Sequence, residues 1–451
     1  MKEWRLYSII ICMFFIFSIS INNYIINSEN STEINDQNNL TIKAIHPTIY
    51  VTGSNWSQAV ILGWCTGSGT QNEPYVIEDL IIDATDSPTG SGILIESSTA
   101  YFRIQNCTIY NANSSWGDAG IRIYQSSNGL LYDNNCSYNN RAGIFVSNCA
   151  SMILTENEAH HNMQFGIGVG NTPSALLEGN TVSYNGGIID PDIGGNGSGI
   201  GIISSNLVVL IDNTAYNNLN FGIHAGYSNY TNILNCESKN NGYHGIGTDH
   251  SHDNTIVGNI VENCEVGIIA GGYGFNISNN EILDSNSFGI LVEGNNESTI
   301  NGNIVRNSVE SGILMKNGTR NSINDNIVTD NFRNGIALND CFNVTIDGNS
   351  ISNNNDHGIR FQTSDNNTIS NNEIMKNGQY GIFLTESNFN EIINNKLIGN
   401  QDCFYEVDCQ GNIFTDNTCG RIVLRYSLIG VAALLVIIAV PIVIVSFRKR
   451  K

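Results

Sequence analysis

Basic side chains are scarce in this chain of 451 residues. There are 20 Lys and Arg against 41 Asp and Glu, which gives a formal net charge of −21. Because a nucleic-acid-binding surface needs a basic stripe facing the phosphates, this composition argues against a nucleic-acid partner. Charged residues of both signs make up only 14% of the chain. Asn, Ser and Gly supply most of the polarity instead.

The chain also lacks any Cys-x-x-Cys pair, although it has 11 cysteines. Closely spaced Cys pairs are the usual sign of a zinc site, so the sequence gives no support for one, and we assign no metal ligands. Most of the cysteines fall at fixed places in the repeat described below, where they are expected to be small buried residues. Cys403, Cys409 and Cys419 cluster near the end of the repeats, and a bridge between two of them would staple the last turn.

The chain is dominated by a repeated phrase, a Gly-Ile pair followed two residues later by an apolar side chain. Most copies are 22 or 23 residues apart, and a fixed period of this length marks a repeat architecture. The Gly residues of the pairs are Gly92, Gly120, Gly143, Gly166, Gly199, Gly222, Gly245, Gly267, Gly289, Gly312, Gly335, Gly358 and Gly381.

Each unit carries a second phrase, an apolar residue followed three positions later by Asn, as in Ile300 and Asn303. Cys107 and Cys236 take the Asn place in two units. The intervening runs are short, β-branched and bounded by Asn, Ser, Asp and Gly, which is typical of strands and turns. Three such strands per unit predict an all-β, single-stranded parallel β-helix of about 14 turns. The Asn residues would stack at a bend, pairing their amides along the rod and tolerating left-handed backbone there.

The two ends of the chain differ from the repeats, and together they predict a single-pass protein of the cell membrane. We interpret the segments as a signal peptide or signal anchor (1–26), a flexible polar lead-in (27–45), an N-terminal cap and first turn (46–91), the repeats (92–420), a transmembrane helix (427–447) and a basic cytoplasmic tail (448–451). This order places the β-helix on the extracellular side. Asn-x-Ser/Thr sequons from Asn30 to Asn366 agree with a glycosylated surface protein.

One face of the predicted rod is almost bare. Because side chains alternate along a strand, the second and fourth residues after each Gly of the repeat should point outward. Glycine there lets a ligand approach the backbone, so a shallow trough is expected. The outward pairs on five consecutive turns are Gly168 and Gly170, Gly201 and Ile203, His224 and Gly226, Gly247 and Asp249, and Ile269 and Gly271.

This trough holds the candidate functional residues. An insertion between Gly187 and Ser198 lies on neighbouring turns, and insertions on one face of a solenoid often mark its binding side. A His and a carboxylate could act as base and acid on a uronide or glycoside. Equally, all of these could be solvated bend residues of a polar rod. The binding candidates are Gly168, Gly201, His224, Gly247, Asp249 and His250, and the catalytic candidates are Asp249, His224, Asp190 and Asp192.

The start of the repeat region carries a recognisable family pattern. Gly63-Trp64, then Gly67-Ser68-Gly69-Thr70, then Pro74-Tyr75-Val76-Ile77-Glu78, followed by the Gly-Ile repeats, resembles the right-handed β-helix proteins grouped with NosD. It also resembles the repeat shared by carbohydrate-binding proteins and sugar hydrolases. The resemblance covers about residues 46–420. It implies a right-handed β-helix that either handles copper or binds or acts on polysaccharide.

These observations lead to an expected function with two alternatives. We expect a membrane-anchored extracellular β-helix protein that binds carbohydrate or a cell-surface partner without catalysis. The first alternative is a membrane-tethered polysaccharide lyase or glycoside hydrolase, and the second is a copper-handling protein. Copper sites use His, Met and Cys, and the chain has no Met-rich motif among its six Met and eight His. No cofactor is expected, and copper or calcium would be the candidates if a metal were bound.

Overall fold

The computed structural model describes residues 45–187 and 197–420, and these wind into a right-handed parallel β-helix of fifteen turns. Each turn contributes one strand to each of three parallel sheets. We call the sheet of Gly-Ile strands sheet 1, the sheet that follows it along the chain sheet 2, and the sheet that closes each turn sheet 3. All-parallel pairing between successive turns is what a right-handed crossover connection produces.

The strands of the three sheets have the following bounds. Sheet 1 comprises Ile49–Thr52, Ile93–Glu96, Ala119–Tyr124, Ala142–Ser147, Ile167–Gly170, Ile200–Ile203, Ile223–Gly226, His244–His252, Val266–Tyr273, Ile290–Asn296, Ile313–Lys316, Ile336–Asn339, Ile359–Gln362, Tyr380–Thr385 and Asp402–Val407. Sheet 2 comprises Tyr75–Glu78, Phe102–Gln105, Gly129–Tyr132, Ile153–Thr155, Leu176–Glu178, Val209–Ile211, Asn232–Leu234, Thr255–Val257, Asn276–Ser278, Thr299–Asn301, Ser322–Asn324, Thr345–Asp347, Thr368–Ser370, Glu391–Ile393 and Ile413–Thr415. Sheet 3 comprises Ile45–His46, Ile81–Asp83, Thr108–Tyr110, Asn135–Ser137, Glu158–His160, Thr181–Ser183, Thr214–Tyr216, Glu237–Lys239, Ile260–Glu262, Glu281–Leu283, Ile304–Arg306, Ile327–Thr329, Ser350–Ser352, Glu373–Met375, Lys396–Ile398 and Thr418–Gly420.

The fifteenth turn is one more than the sequence pattern predicted. Its sheet 1 strand, Asp402–Val407, carries no Gly-Ile pair. Phe404 occupies the place of Ile and aligns with Ile382 of the preceding turn. The neighbouring Cys403 forms a disulfide with Cys419, with 6.0 Å between their Cα atoms, whereas the third candidate, Cys409, has a free thiol.

A continuous apolar core runs through the interior of the rod. Ile290, Ile313 and Ile336 align on consecutive turns, and all three are fully buried. In one turn, Ile313 and Met315 of sheet 1 meet Ile323 of sheet 2 in the same buried cluster. The predicted inward row is therefore confirmed. Stacking identical β-branched side chains at the strand spacing leaves little space between turns.

The predicted Asn stack lies at the tight bend from sheet 2 to sheet 3. The side chain of Asn326 donates through Nδ2 to Oδ1 of Asn349, at 2.9 Å. Its own Oδ1 accepts from the backbone N–H and from Nδ2 of Asn303, both at 2.9 Å. The left-handed backbone occurs one residue before the stacked Asn, as at Gly302 with φ 64 and at Asp325 with φ 51. The stacked Asn itself therefore serves as a hydrogen-bond relay between turns.

A second Asn stack, which the sequence analysis did not identify, lies at the bend from sheet 3 to sheet 1. Asn139 donates through Nδ2 to Oδ1 of Asn162 at 3.0 Å, and Asn354 donates in the same way to Asn377 at 2.9 Å. Between these two runs, Ser308 stands in the row and donates its backbone N–H to Oδ1 of Asn331. In most turns, both bends that flank sheet 3 are thus held by side-chain amides.

The N-terminal end of the rod is covered by a short helix, Trp56–Ile61. Trp56 is buried, its ring stacks on Tyr75 with centroids 4.6 Å apart, and its Nε1 donates to Oγ of Ser98 at 2.8 Å. An indole ring with a satisfied N–H can fill such an end without leaving an unpaired polar group.

Several segments assigned from the sequence lie outside the described residues. These are the signal segment (1–26), all but the last residue of the lead-in (27–45), the apolar segment 427–447, the basic tail 448–451, and the part of the insertion that carries Asp190 and Asp192. Within 45–187 and 197–420, no helix has the length and apolar character needed to cross a membrane.

Candidate functional site

The predicted outward row forms a continuous line on the outer face of sheet 1. Strand register aligns Gly168, Gly201, His224, Gly247 and Ile269 on five consecutive turns. The strand His244–His252 is nine residues long, and its register shifts between Thr248 and Ser251. Such irregularities in a ladder are frequent beside functional sites, because they re-aim side chains.

The glycines of this row do not form the bare trough that the sequence suggested. A Cβ atom at Gly168 would lie 2.8 Å from Cδ2 of Phe145, and one at Gly201 would lie 2.7 Å from Cε1 of Phe165. A phenyl ring therefore lies over each of these glycines. Because these glycines have no side chains, aromatic rings from neighbouring turns can pack over them. The face is therefore apolar at these positions, where an accessible polar backbone was expected.

The side chain of Asp249 is held between two imidazoles. Its Oδ1 lies 2.6 Å from Nε2 of His224, and its Oδ2 lies 2.8 Å from Nδ1 of His250. Burial raises the pKa of Asp249, but the hydrogen bonds and charges of His224 and His250 outweigh burial and bring the pKa below its ordinary value. Because a carboxylate only accepts, both histidines donate to it. His224 is largely buried and its Nδ1 has no hydrogen-bond partner, whereas His250 is exposed.

Aromatic rings continue from His250 along the C-terminal ends of three consecutive sheet 1 strands and the bends after them, and all but the partly buried ring of His252 are exposed. The ring of His250 stacks on Tyr227 with centroids 4.6 Å apart, and that of His252 stacks on Tyr273 at 4.8 Å. Tyr230 packs edge-on against His252 at 5.2 Å. We call Tyr227, Tyr230, His250, His252 and Tyr273 the aromatic bend. Of these five residues only His250 is among the binding candidates taken from the sequence; the recurrence of Tyr and His just after the outward pairs was the available signal for the others.

A groove lies on the same face, on the turns N-terminal to His224. It has a volume of about 360 Å³, and Trp116, Asp118, Arg122 and Arg141 line it together with Gly168 and Gly201. The guanidinium of Arg141 lies over the Trp116 ring at 4.8 Å. Asp118 is only 4% exposed, and its Oδ2 accepts the backbone N–H of Ser115 at 2.9 Å. Burial raises the pKa of Asp118, and the Ser115 hydrogen bond and the two arginines oppose that rise.

The groove and the His224–Asp249–His250 cluster are adjacent. Gly201 and Ile203 line the groove, and strand register pairs them with His224 and Gly226 of the next turn. Together they make one surface across several turns of sheet 1. Gly168, Gly201, His224, Gly247, Asp249 and His250 all lie on it or at its edge.

Buried histidines should make the stability of the rod depend on pH. His244, 5% exposed against Tyr243, has its pKa lowered to about 4, first by burial and then by the charge of His224. His357, 8% exposed among aromatic rings, also has its pKa lowered to about 4 by burial. In the unfolded chain an imidazole titrates near pH 6.5. Between about pH 6.5 and 4 the unfolded state therefore binds more protons, so the free energy of unfolding should fall as the pH falls, by about 3 kcal/mol per histidine.

Urea unfolding at a series of pH values between 7.5 and 4 tests this expectation. The variant His357→Gln should lose part of the slope between pH 6.5 and 4, and the double variant with His244→Gln should lose more. Carboxylates also titrate at the acid end of this range, so the difference from the parent protein is the informative quantity. A double variant whose slope matches that of the parent would contradict the assignment.

Comparison with known families agrees with the fold. Residues 269–424 match the family described as periplasmic copper-binding protein (NosD), and residues 48–192 and 187–270 match the right handed beta helix region. None of the curated proteins searched matches the chain. Within residues 45–187 and 197–420, no group of three or more His, Cys, Asp or Glu is placed to hold a metal ion. The side chains of these residues thus do not fit a copper site.

Solved structures with similar folds include three proteins of different kinds. The periplasmic alginate epimerase AlgG is 14% identical, with 76% of this chain and 84% of that chain covered and a TM-score of 0.42. Tailspike protein 3 of bacteriophage CBA120 is 11% identical, with coverage of 75% and 56% and a TM-score of 0.48. PfbA, a surface adhesin of Streptococcus pneumoniae, is 11% identical, with coverage of 75% and 83% and a TM-score of 0.39.

At these identities the similarity concerns the fold alone. Three observations indicate the same fold. They are the match to the β-helix family, the register of the three sheets, and the repeated Gly-Ile and Asn motifs. This chain is a right-handed parallel β-helix repeat protein with a NosD-like C-terminal part.

Proposed function

We propose that this protein binds a polysaccharide along the outer face of sheet 1, over the surface formed by the groove and the His224–Asp249–His250 cluster. The observation that carries the proposal is the fixed Asp249 carboxylate beside the exposed ring of His250, which stacks on the exposed Tyr227 in the aromatic bend. Sites that bind small polar ligands combine aromatic walls with a few accurately placed polar groups. A β-helix places the residues of successive turns in rows along its axis. Such rows can contact successive units of an extended polysaccharide.

The state of Asp249 favours binding over hydrolysis. A glycosidase acid needs a carboxyl group with a raised pKa so that it can protonate the leaving oxygen. The pKa of Asp249 is lowered, and both of its oxygens accept hydrogen bonds from imidazoles. Asp249 is therefore suited to fix the orientation of its histidines and to accept further hydrogen bonds from hydroxyl groups.

A polysaccharide-active enzyme is the second candidate, and one observation favours it. Asp249 binds Nδ1 of the exposed His250, which leaves Nε2 of that ring available as a base, the arrangement by which a carboxylate orients a catalytic imidazole. Incubation with polyuronides and neutral glycans, followed by measurement of new reducing ends and of unsaturated uronides, tests this candidate. Turnover that Asp249→Asn abolishes would support it, and turnover unchanged in that variant would exclude this cluster as its site.

The proposed location is the outer surface of a cell membrane. The apolar segment 427–447, with the basic residues 448–451 after it, would hold the rod there, and the segment 1–26 would direct export. When intact cells are treated with a protease, we expect the β-helix to be cleaved and the tail 448–451 to be protected.

Replacing Asp249 by asparagine should weaken polysaccharide binding about tenfold or more, since a hydrogen bond to a charged group contributes about 1.5–3 kcal/mol. Binding of the full-length protein to an oligosaccharide array, followed by titration with the best ligand, measures the change. The matched control is Asp347→Asn. Asp347 lies on sheet 2, and its Oδ1 accepts from Ser370 at 2.6 Å and from Asn371 at 2.7 Å. Equal affinities for the parent protein and Asp249→Asn, or equal losses in both variants, would discard the proposed site.

A further inference from the structure

We infer that the groove lined by Trp116, Arg122 and Arg141 is a subsite for an anionic sugar, a uronate or a sulfated residue of the bound polysaccharide. The inference rests on the proposed function and names the class of glycan that it would take. Neither the matched families nor the sequence motifs assign a role to this groove.

The charge of the groove is opposite to that of the molecule. The whole chain has 20 Lys and Arg against 41 Asp and Glu, yet two arginines line this one groove. Asp118 is the acidic residue that lines it with them, and it is 4% exposed with Oδ2 accepting from Ser115. Its pKa is raised by burial. The accessible charge in the groove is therefore that of the guanidinium groups, which would attract an anion to a surface that otherwise repels one.

Both guanidinium groups are positioned by aromatic rings. Arg141 lies over Trp116 at 4.8 Å and Arg122 over Tyr124 at 5.6 Å. A guanidinium stacked on a ring is held in a fixed plane, with its N–H donors free at the edge. Two of these donors can make parallel hydrogen bonds to a carboxylate or a sulfate. Nε of Arg122 is buried and has no hydrogen-bond partner within residues 45–187 and 197–420. The group has thus already lost part of its hydration, which strengthens its attraction for an anion.

Groove size and neighbouring surfaces fit a sugar better than a small ion. A volume of about 360 Å³ is far larger than one anion needs and falls within the range of small-molecule sites. Trp116 is 67% exposed, so much of the indole remains available to stack on the apolar face of a sugar ring. Gly201 and Ile203 of the groove pair with His224 and Gly226 of the next turn, so a bound chain can continue across the face.

The test is a titration of the full-length protein with four probes: a polyuronate oligosaccharide, its methyl-esterified form, a sulfated oligosaccharide and a neutral glucan. We expect the charged probes to bind at least tenfold more tightly than the ester and the glucan, with an affinity that falls as salt rises. Arg122→Gln and Arg141→Gln should each remove about tenfold of the affinity for the charged probes. Arg122→Lys should retain part of it, because the charge remains and the fork is lost.

Arg320→Gln is the matched control, since Arg320 is exposed at a distant bend and pairs with Glu297 at 2.7 Å. Circular dichroism and urea midpoints of each variant separate loss of binding from loss of folding. Equal affinity for acid and ester, or Arg122→Gln and Arg141→Gln proteins that are folded and bind like the parent, would overturn the inference. If Asp249→Asn still lost binding in that case, the proposed function would stand without this subsite. Failure to bind any of the four probes or any array glycan would overturn both.

Discussion

Replacing Gly312 by alanine is expected to lower the free energy of unfolding by about 2–3 kcal/mol, the cost of inserting an extra carbon into a filled core. A Cβ atom at this position would lie 2.7 Å from Nδ2 of Asn331 and closer still to Cγ1 of Val328. Asn331 belongs to the second Asn stack and donates through Nδ2 to Asn354 at 2.9 Å. The methyl group would therefore displace both a core side chain of sheet 3 and an amide that joins two turns.

Gly170→Ala is the matched control on the outer face of the same sheet. The nearest heavy atom to a Cβ there would be Cβ of Ser147, at 3.9 Å, which is ordinary contact. This variant should be neutral or gain up to about 1 kcal/mol, because alanine reduces the entropy of the unfolded chain. Urea midpoints of the two variants measure the difference. If Gly312→Ala and Gly170→Ala had the same urea midpoint, the repeated glycine would not be required for packing between sheets.

The interior of the fold could be predicted from the sequence because its rows repeat with one spacing. Ile313 recurs 23 residues later as Ile336, and such a row can only be buried if the turns stack in register. The last turn lies within the predicted repeats, but its sheet 1 strand could not be identified from the Gly-Ile pair because Cys403 and Phe404 replace Gly and Ile. A wide side chain is tolerated there because the final turn has no further described turn packed against it.

The second Asn stack could not be predicted with the same ease. Its row passes from Asn241 through Cys264, Ser285 and Ser308 before Asn returns at Asn331. The structural requirement is for a small side chain beside the glycine of the preceding Gly-Ile pair, and several residue types meet it. A search for one residue type at a fixed spacing therefore misses this row, although its residues occupy equivalent positions on successive turns.

The outer face was predicted less well than the core, because its contacts join different turns. Alternation along a strand correctly places Gly201 outward, but the ring that covers it belongs to Phe165 of the preceding turn. Similarly, the sequence places His224 and Asp249 on neighbouring turns, whereas the second imidazole at Asp249 comes from His250, the next residue of the same strand. His250 has a left-handed backbone, with φ 48, at the irregularity of this strand, so the direction of its side chain is not fixed by a period of two.

Replacing Asn326 by leucine is expected to lower the free energy of unfolding by about 4 kcal/mol, which would be the largest effect of a single substitution considered for this rod. Leucine has a similar volume but can neither donate nor accept. Asn326 is fully buried, and its Nδ2 also donates to the carbonyl of Ile300 at 2.9 Å. Its loss leaves the backbone N–H of Asn303 and the Ile300 carbonyl without these partners. Each buried polar group left unpaired costs about 1–3 kcal/mol.

The protein supplies its own control for this substitution, because Cys236 occupies the same row. The backbone N–H of Cys236 donates to Oδ1 of Asn259 at 2.8 Å, and Nδ2 of Asn213 contacts its Sγ at 3.9 Å. Asn326→Cys should therefore be folded and lose about half as much stability as Asn326→Leu, since sulfur is a weak acceptor where leucine is none. Urea midpoints, together with hydrogen exchange of the Asn303 amide, measure both variants. Equal midpoints for leucine and cysteine would mean that shape, and not the hydrogen-bond relay, holds the bend.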